Sequence, residues 1–332
     1  MTLTTTATSS NSAACGFVVR ACQGRNSESK PDPRFQVKVS SEDTEGAYSV
    51  VEVRTPPLVG PPFHFHRFED EWFYIIEGEF RFRVGGQDIL AGPGTSLYAP
   101  RRVAHAFQNI GKRTGRMLTV TTPGGLDKFF TDLFRDCPPG TPMDPSMYLS
   151  VYEKHNLVFV APPLGIGEVL PSAPSNSGRT PFVVQPGAAR LPQRLDVLGN
   201  LLDIKVTRED SEGFMTAFEG FIEPNAGPPL HRHEREDEFF FVLEGVIEFE
   251  MNGRRVIANV GDSVFAPRRS VHTFRNISRN TARMVTVAFP GGVEEFFSDL
   301  AQAVKPGTKP NPQLLLPTFH RHGMELCGPP LS

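Results

Sequence analysis

The chain has 332 residues and nearly balanced charge, with 34 Lys and Arg against 37 Asp and Glu, a formal net charge of −3. That balance gives no electrostatic reason to bind nucleic acid or an anionic membrane, and no apolar run approaches bilayer-spanning length. The four cysteines (Cys15, Cys22, Cys137, Cys327) sit at unmatched spacings, which argues against a disulfide framework or a thiolate zinc site and suits a reducing, cytoplasmic compartment.

In chain order, the opening MTLTTTATSSNSAA is polar and lacks the basic end and apolar stretch of a secretory signal, so it reads as a frayed tail. Aromatic and β-branched runs bounded by Gly, Pro or Asn predict strands over Glu71–Ile76, Phe80–Val84, Ser96–Ala99 and Met117–Thr121. Glu77-Gly78 and Gly85-Gly86 predict turns between antiparallel neighbours. After Pro123-Gly124-Gly125, the residues Leu126, Phe129, Phe130 and Leu133 recur at helical spacing, so a helix is predicted over Leu126–Phe134. A second helix is expected near Pro145–His155. The Pro-, Gly- and Ser-rich stretch Ala161–Pro192 reads partly as a connector. Within it, Phe182-Val183-Val184 echoes Phe17-Val18-Val19 and is expected to open a second domain.

The second half repeats the first at a displacement of 167 residues, His64 to His231. Gly60–Glu79 (GPPFHFHRFEDEWFYIIEGE) returns as Gly227–Val246 (GPPLHRHEREDEFFFVLEGV), and the correspondence runs on to Lys154-His155 and Arg321-His322. A period of this size means two duplicated domains rather than a solenoid. The expected division is residues 1–165, with a barrel at about 35–125, and residues 166–332, with a barrel at about 200–292, each long enough for its own core. Closely spaced strand signals predict an all-β fold of two tandem barrels, each followed by short helices.

Each copy carries His-x-His-x4-Glu and a later histidine: His64, His66, Glu71 and His105, then His231, His233, Glu238 and His272. Alternate residues of a strand share a face, so the two histidines of each pair project together. A lone His-x-His on a strand is commonly a polar outer face; the carboxylate, the third histidine and the second complete copy point instead to two metal sites. Three imidazoles and a carboxylate suit a divalent first-row metal with open coordination positions, Fe(II) in first place, with Mn, Co, Ni or Zn as alternatives. The runs Glu69-Asp70 and Glu236-Asp237 are expected to face water. Arg101-Arg102 and Arg268-Arg269 are expected in turns or at a domain interface, and His155, His320 and His322 outside the ligand sets.

Gly60-x3-His64-x-His66-x4-Glu71-x6-Gly78, with Gly94-x5-Pro100-x4-His105-x3-Asn109, resembles the two sequence motifs of the cupin superfamily. The second half matches through Gly227, His231, His233, Glu238, Gly245, Gly261, Pro267, His272 and Asn276. The resemblance implies two double-sheet jelly-roll barrels, a bicupin, most similar to quercetin 2,3-dioxygenase-like proteins. It further implies that each His3Glu set holds a metal and that Glu71 or Glu238 acts as base toward a substrate hydroxyl. Thr95, where the second copy has Asp262, departs from the repeat and is expected only to alter a turn.

The implied reaction is metal-dependent dioxygenation of an aromatic or enolic small molecule, with dioxygen as co-substrate. A metal-dependent isomerase, cyclase or decarboxylase is the alternative, and a non-enzymatic ligand-binding bicupin a further one. Candidate lining for an apolar pocket is Phe63, Phe65, Phe73, Phe82 and Phe107, then Phe239, Phe240, Phe241, Phe249 and Phe274, of which alternation lets only some point inward. Trp72, Tyr74 and Phe65 are expected around the first set of ligands and Phe239, Phe241 and Arg232 around the second, with Arg232 facing away. The first site is favoured as catalytic. A homodimer is an open expectation, since an internal pair of barrels already covers strand edges.

Overall fold

The computed structural model describes residues 16–25, 34–136, 145–165, 178–304 and 311–332. The N-terminal tail, Cys15, Cys137 and connector residues 166–177 lie outside the described residues.

Each half is a pair of facing antiparallel sheets. In the first, a six-stranded sheet runs Phe182–Val184, Ser96–Ala99, Asp70–Glu77, Gly115–Thr122, Ser49–Thr55, Phe35–Val39. It faces a five-stranded sheet ordered Leu157–Pro163, Pro62–His66, His105–Asn109, Phe80–Val84, Gln87–Ala91. The second half has matching sheets of seven and five strands. Period-2 patterning decides the faces: Phe80, Phe82 and Val84 are buried while Arg81 and Arg83 turn outward, and Ile247, Phe249 and Met251 repeat this. The helices Leu126–Asp136 and Pro145–Lys154 follow the first barrel, and Val293–Ala303 and Pro312–Arg321 the second. In the first pair, Leu126, Phe129 and Leu133 pack on Val151, Tyr152 and Leu157. Among the described residues no helix is long and apolar enough to cross a membrane.

The two halves exchange strands. Phe17–Val19 pairs with Ser263–Ala266 of the second barrel, and Phe182–Val184 pairs with Ser96–Ala99 of the first. The tripeptide expected to open the second domain therefore completes the sheet of the first. Each exchanged strand covers an edge that would otherwise present unpaired backbone groups. Asp262 fastens one of them: it accepts from Ala21 N at 2.7 Å and from the Arg20 guanidinium at 2.8 Å, as well as from Asn259 N in its own turn. The change from Thr95 to Asp262 thus does more than alter a turn.

The large sheets pack face to face. Tyr48, Trp72, Tyr74 and Tyr98 from one half meet Phe239, Phe241, Phe265 and Phe289 from the other in one buried cluster. Tyr48 stacks on Phe289 with ring centroids 3.6 Å apart, and its hydroxyl donates to Asp237 at 3.1 Å. Burial, reinforced by that carboxylate, pushes the Tyr48 hydroxyl well above its ordinary pKa, so it stays a donor. Trp72, Tyr74, Phe239 and Phe241 therefore do not surround the ligands. Glu71 and Phe73 point into the barrel, and alternation sends Trp72 and Tyr74 out into the interface.

Candidate metal centres

His64 sits directly opposite His105 across adjacent strands of the five-stranded sheet, and Glu71 reaches the same point from the facing sheet. One ligand atom each from His64, His66, Glu71 and His105 lies within 4.8 Å of all the others, and all four residues are buried. His231, His233, Glu238 and His272 form the matching cluster, with His231 opposite His272. The sequence-derived ligand sets thus converge completely in both halves.

Backbone carbonyls orient the rings. Nδ1 of His64 lies 2.8 Å from Pro62 O and Nδ1 of His105 lies 2.9 Å from Val103 O, which turns each Nε2 inward. His231 and His272 make the same contacts with Pro229 O and Ser270 O at 2.8 and 3.0 Å. Glu71 Oε2 stands 2.9 Å from His105 Nε2 and 3.1 Å from His66 Nε2. Glu238 Oε2 stands 2.8 Å from His272 Nε2 and 3.2 Å from His233 Nε2.

Glu69 and Glu236 do not simply face water. Glu236 Oε2 lies 3.3 Å from His233 Nδ1, and Glu69 Oε2 lies 3.6 Å from His66 Nδ1. Glu236 thus aims His233 by a hydrogen bond, while Glu69 stands beside His66 Nδ1 only at ion-pair distance. Asp70 and Asp237 are buried too. Asp70 accepts from Tyr98 Oη, Arg101 N and Arg179, while Asp237 is gripped by Arg268. Arg101 and Arg268 are turn and interface residues as expected, and Arg102 and Arg269 adopt positive φ in those turns. Arg232 faces outward to Glu234 and Glu325. His155 and His322 bond Asp132 and Asp299 outside the clusters.

The protonation pattern follows from this geometry. Burial, aided by His105 and His66, pushes His64 well below the ordinary histidine pKa, so its imidazole is neutral, and His231 behaves alike. Burial also opposes charge on His66 and His233, but the paired carboxylates Glu71 with Glu69, and Glu238 with Glu236, overcome it and raise both to about 9. Burial works against ionisation of Glu71 and Glu238 as well, yet the adjoining histidines hold both well below the carboxylate range. Nε2 of His66 and of His233 is buried without a hydrogen-bond partner. A cation among the four ligand atoms would account for these orphaned nitrogens. Imidazole with carboxylate is also the donor set of a divalent first-row metal once His66 and His233 give up their protons.

A cavity opens onto each cluster. The first holds about 200 Å3 and is lined by His64, Glu71, Phe73, Phe107, Phe129 and Tyr152. The second holds about 90 Å3, with Phe240, Phe274, Phe296 and Phe319 at the corresponding positions. Of the candidate phenylalanines, Phe73, Phe107, Phe240 and Phe274 line cavities. Phe82 and Phe249 fill the barrel cores behind them, and Phe63 packs on Ala104, Ala106 and Ala161. The helical linings Phe129 and Tyr152 went unread in the sequence, although the Tyr152-to-Phe319 change in an otherwise close repeat was a visible signal.

Two facing antiparallel sheets enclosing a His3Glu cluster, present twice, define a two-barrel metal-site protein. Residues 51–121 and 219–288 each match the cupin domain family, so the chain carries a cupin domain in each half, a bicupin arrangement. It is 24% identical over 253 residues to quercetin 2,3-dioxygenase of Bacillus subtilis, spanning 72% of each chain. It is 30% identical over 119 residues to oxidoreductase iacF of Pestalotiopsis fici, spanning 32% of this chain and 58% of that one. Its fold is similar to that of oxalate decarboxylase from Bacillus subtilis, with a TM-score of 0.54 and 17% identity over 77% of this chain and 72% of the other.

Proposed function

We propose that this bicupin is a metal-dependent dioxygenase that cleaves a small aromatic or enolic substrate. His64, His66, Glu71 and His105 hold one divalent metal, His231, His233, Glu238 and His272 a second, and the first centre carries the reaction. The observation behind this reading is that a complete ligand set lies at the floor of an apolar cavity, the larger of the two. The similarity to quercetin 2,3-dioxygenase supports the reaction class. Fe(II) is the favoured metal. Mn is the first alternative, since a structurally similar oxalate decarboxylase is described with Mn(II) centres.

A bound divalent ion would supply Lewis acidity toward the enol oxygen of a substrate. The chain's own residues do the rest. Glu71 presents a carboxylate at the cavity floor, where it can take the enol proton at hydrogen-bond distance. Phe73 and Phe107 hold a flat ring and keep bulk water away. The test is dioxygen uptake in an oxygen electrode, with iron- or manganese-loaded protein and a panel of flavonols and smaller enols. Metal-dependent uptake supports the reading. Substrate conversion without uptake would move the protein to the isomerase, cyclase or decarboxylase class, and no conversion of any enol would leave the ligand-binding alternative.

A further inference from the structure

The wall of the first cavity carries a hydroxyl that the barrel itself does not use. On the strand Gly115–Thr122, alternation turns Met117, Thr119 and Thr121 into the barrel, while Leu118 and Val120 enter the contact between the two halves. Thr121 Oγ1 pairs with Ser49 Oγ at 2.9 Å on the neighbouring strand. Thr119, two residues back on the same face, stands between Phe73 and Val51, whose side chains offer no polar atom. It is 2% exposed and lines the cavity, and its Oγ1 has no hydrogen-bond partner among the described residues. A valine would fill the same space without that burden, since a buried hydroxyl left unpaired is destabilising.

The repeat treats this position differently from its neighbours. Thr121 and Thr122 become Ala288 and Phe289, but Thr119 returns as Thr286. Thr286 lines the second cavity and is flanked there by Phe240 and Phe218. A hydroxyl kept on the wall of both cavities, and unpaired in the first, serves a ligand better than it serves packing.

Strand register places Thr119 relative to the metal centre. Glu71 lies opposite Thr121, which makes Thr119 its diagonal neighbour, a backbone separation of roughly 7–8 Å. One small molecule can span that gap, with one oxygen at Glu71 and a second at Thr119. The cavity holds about 200 Å3. Roughly 150 Å3 suffices for benzene, so one substituted ring fits.

We propose that the first centre takes an enol or phenol with a second, hydrogen-bond-accepting oxygen on the adjacent or next-but-one ring carbon, and that Thr119 donates to that oxygen. This rests on the enol-substrate reading above and narrows it. Thr119 meets the substrate away from the reacting oxygen, so it sets which enol is held rather than where the proton goes.

The test is anaerobic calorimetric binding at pH 7 of two isosteric probe pairs to the full metal-loaded chain: 2-methoxyphenol against 2-ethylphenol, and 3-methoxyphenol against 3-ethylphenol. Within each pair an oxygen replaces a methylene. In at least one pair the methoxy-to-ethyl affinity ratio should be about fivefold higher in the wild type than in Thr119→Val, the weight of one neutral hydrogen bond. Thr119→Ser should keep most of the wild-type ratio, and Thr286→Val all of it. The melting temperature of Thr119→Val should not fall, because no hydrogen bond within the protein is lost. Ratios unchanged by Thr119→Val in both pairs, or changed by Thr286→Val instead, would overturn the proposal. So would a fall of several degrees in the melting temperature of Thr119→Val. Binding requires no turnover. An unchanged ratio alongside metal-dependent dioxygen uptake overturns the role of Thr119 alone, and a changed ratio without uptake overturns the dioxygenase reading alone.

Discussion

In the metal-free protein His66 and His233 hold a proton up to about 9, because two carboxylates face each ring in a buried site. A histidine can ligate a metal only when deprotonated, so binding has to displace that proton. At pH 7 a group titrating at about 9 is overwhelmingly protonated, so each centre must give up a proton before the metal can bind. Apparent affinity for Co(II) should therefore rise about tenfold per pH unit between roughly pH 6.5 and 8.5 and level off above about 9. Chelator competition gives the affinities. Calorimetry in two buffers of different ionisation enthalpy should give about one proton released per metal at pH 7. Stability carries the opposite sign: the folded-state pKa is raised, so the stabilisation of the metal-free chain is fully present below the ordinary histidine range and is lost as pH rises through about 9. Thermal unfolding of the metal-free chain should fall across that window. A metal affinity independent of pH from 6.5 to 8.5 would show that no proton is displaced from His66 or His233 on binding.

Two further outcomes follow from close approaches. A Cβ on Gly60 would fall 1.7 Å from Phe107 O, and one on Gly227 1.8 Å from Phe274 O. Gly60→Ala must therefore shift the strand that carries His64 and His66, lowering the melting temperature by several degrees and weakening the first centre selectively. Tyr48→Ala removes the stack on Phe289 and a fully buried side chain between the barrels, which should cost about 3–5 kcal/mol in denaturant unfolding. Tyr48→Phe, which loses only the hydrogen bond to Asp237, should cost about 1 kcal/mol.

The two His3Glu clusters were legible because they rest on short-range rules. Alternation on one strand pairs His64 with His66, and the repeat supplies a second copy. The helix after Pro123-Gly124-Gly125 was equally plain from its apolar face, and it forms as Leu126–Asp136. What sequence could not yield depends on contacts between distant segments. Phe17–Val19 and Phe182–Val184 carry the same tripeptide, and nothing local says that each pairs with the other half's barrel. Asp70 reads as solvent-facing until Tyr98, Arg101 and Arg179 arrive from 28, 31 and 109 residues away. Trp72 and Tyr74 alternate correctly with Glu71, but the face opposite it proved to be an inter-barrel contact rather than solvent.

The most direct test of the account is metal content per chain, by elemental analysis of protein purified without added metal, for the wild type, His66→Ala and His233→Ala. The wild type should hold two equivalents of a first-row divalent metal and each variant one, with dioxygen uptake lost in His66→Ala and retained in His233→Ala. A wild-type chain that holds no such metal, or variants that keep both equivalents, would contradict it.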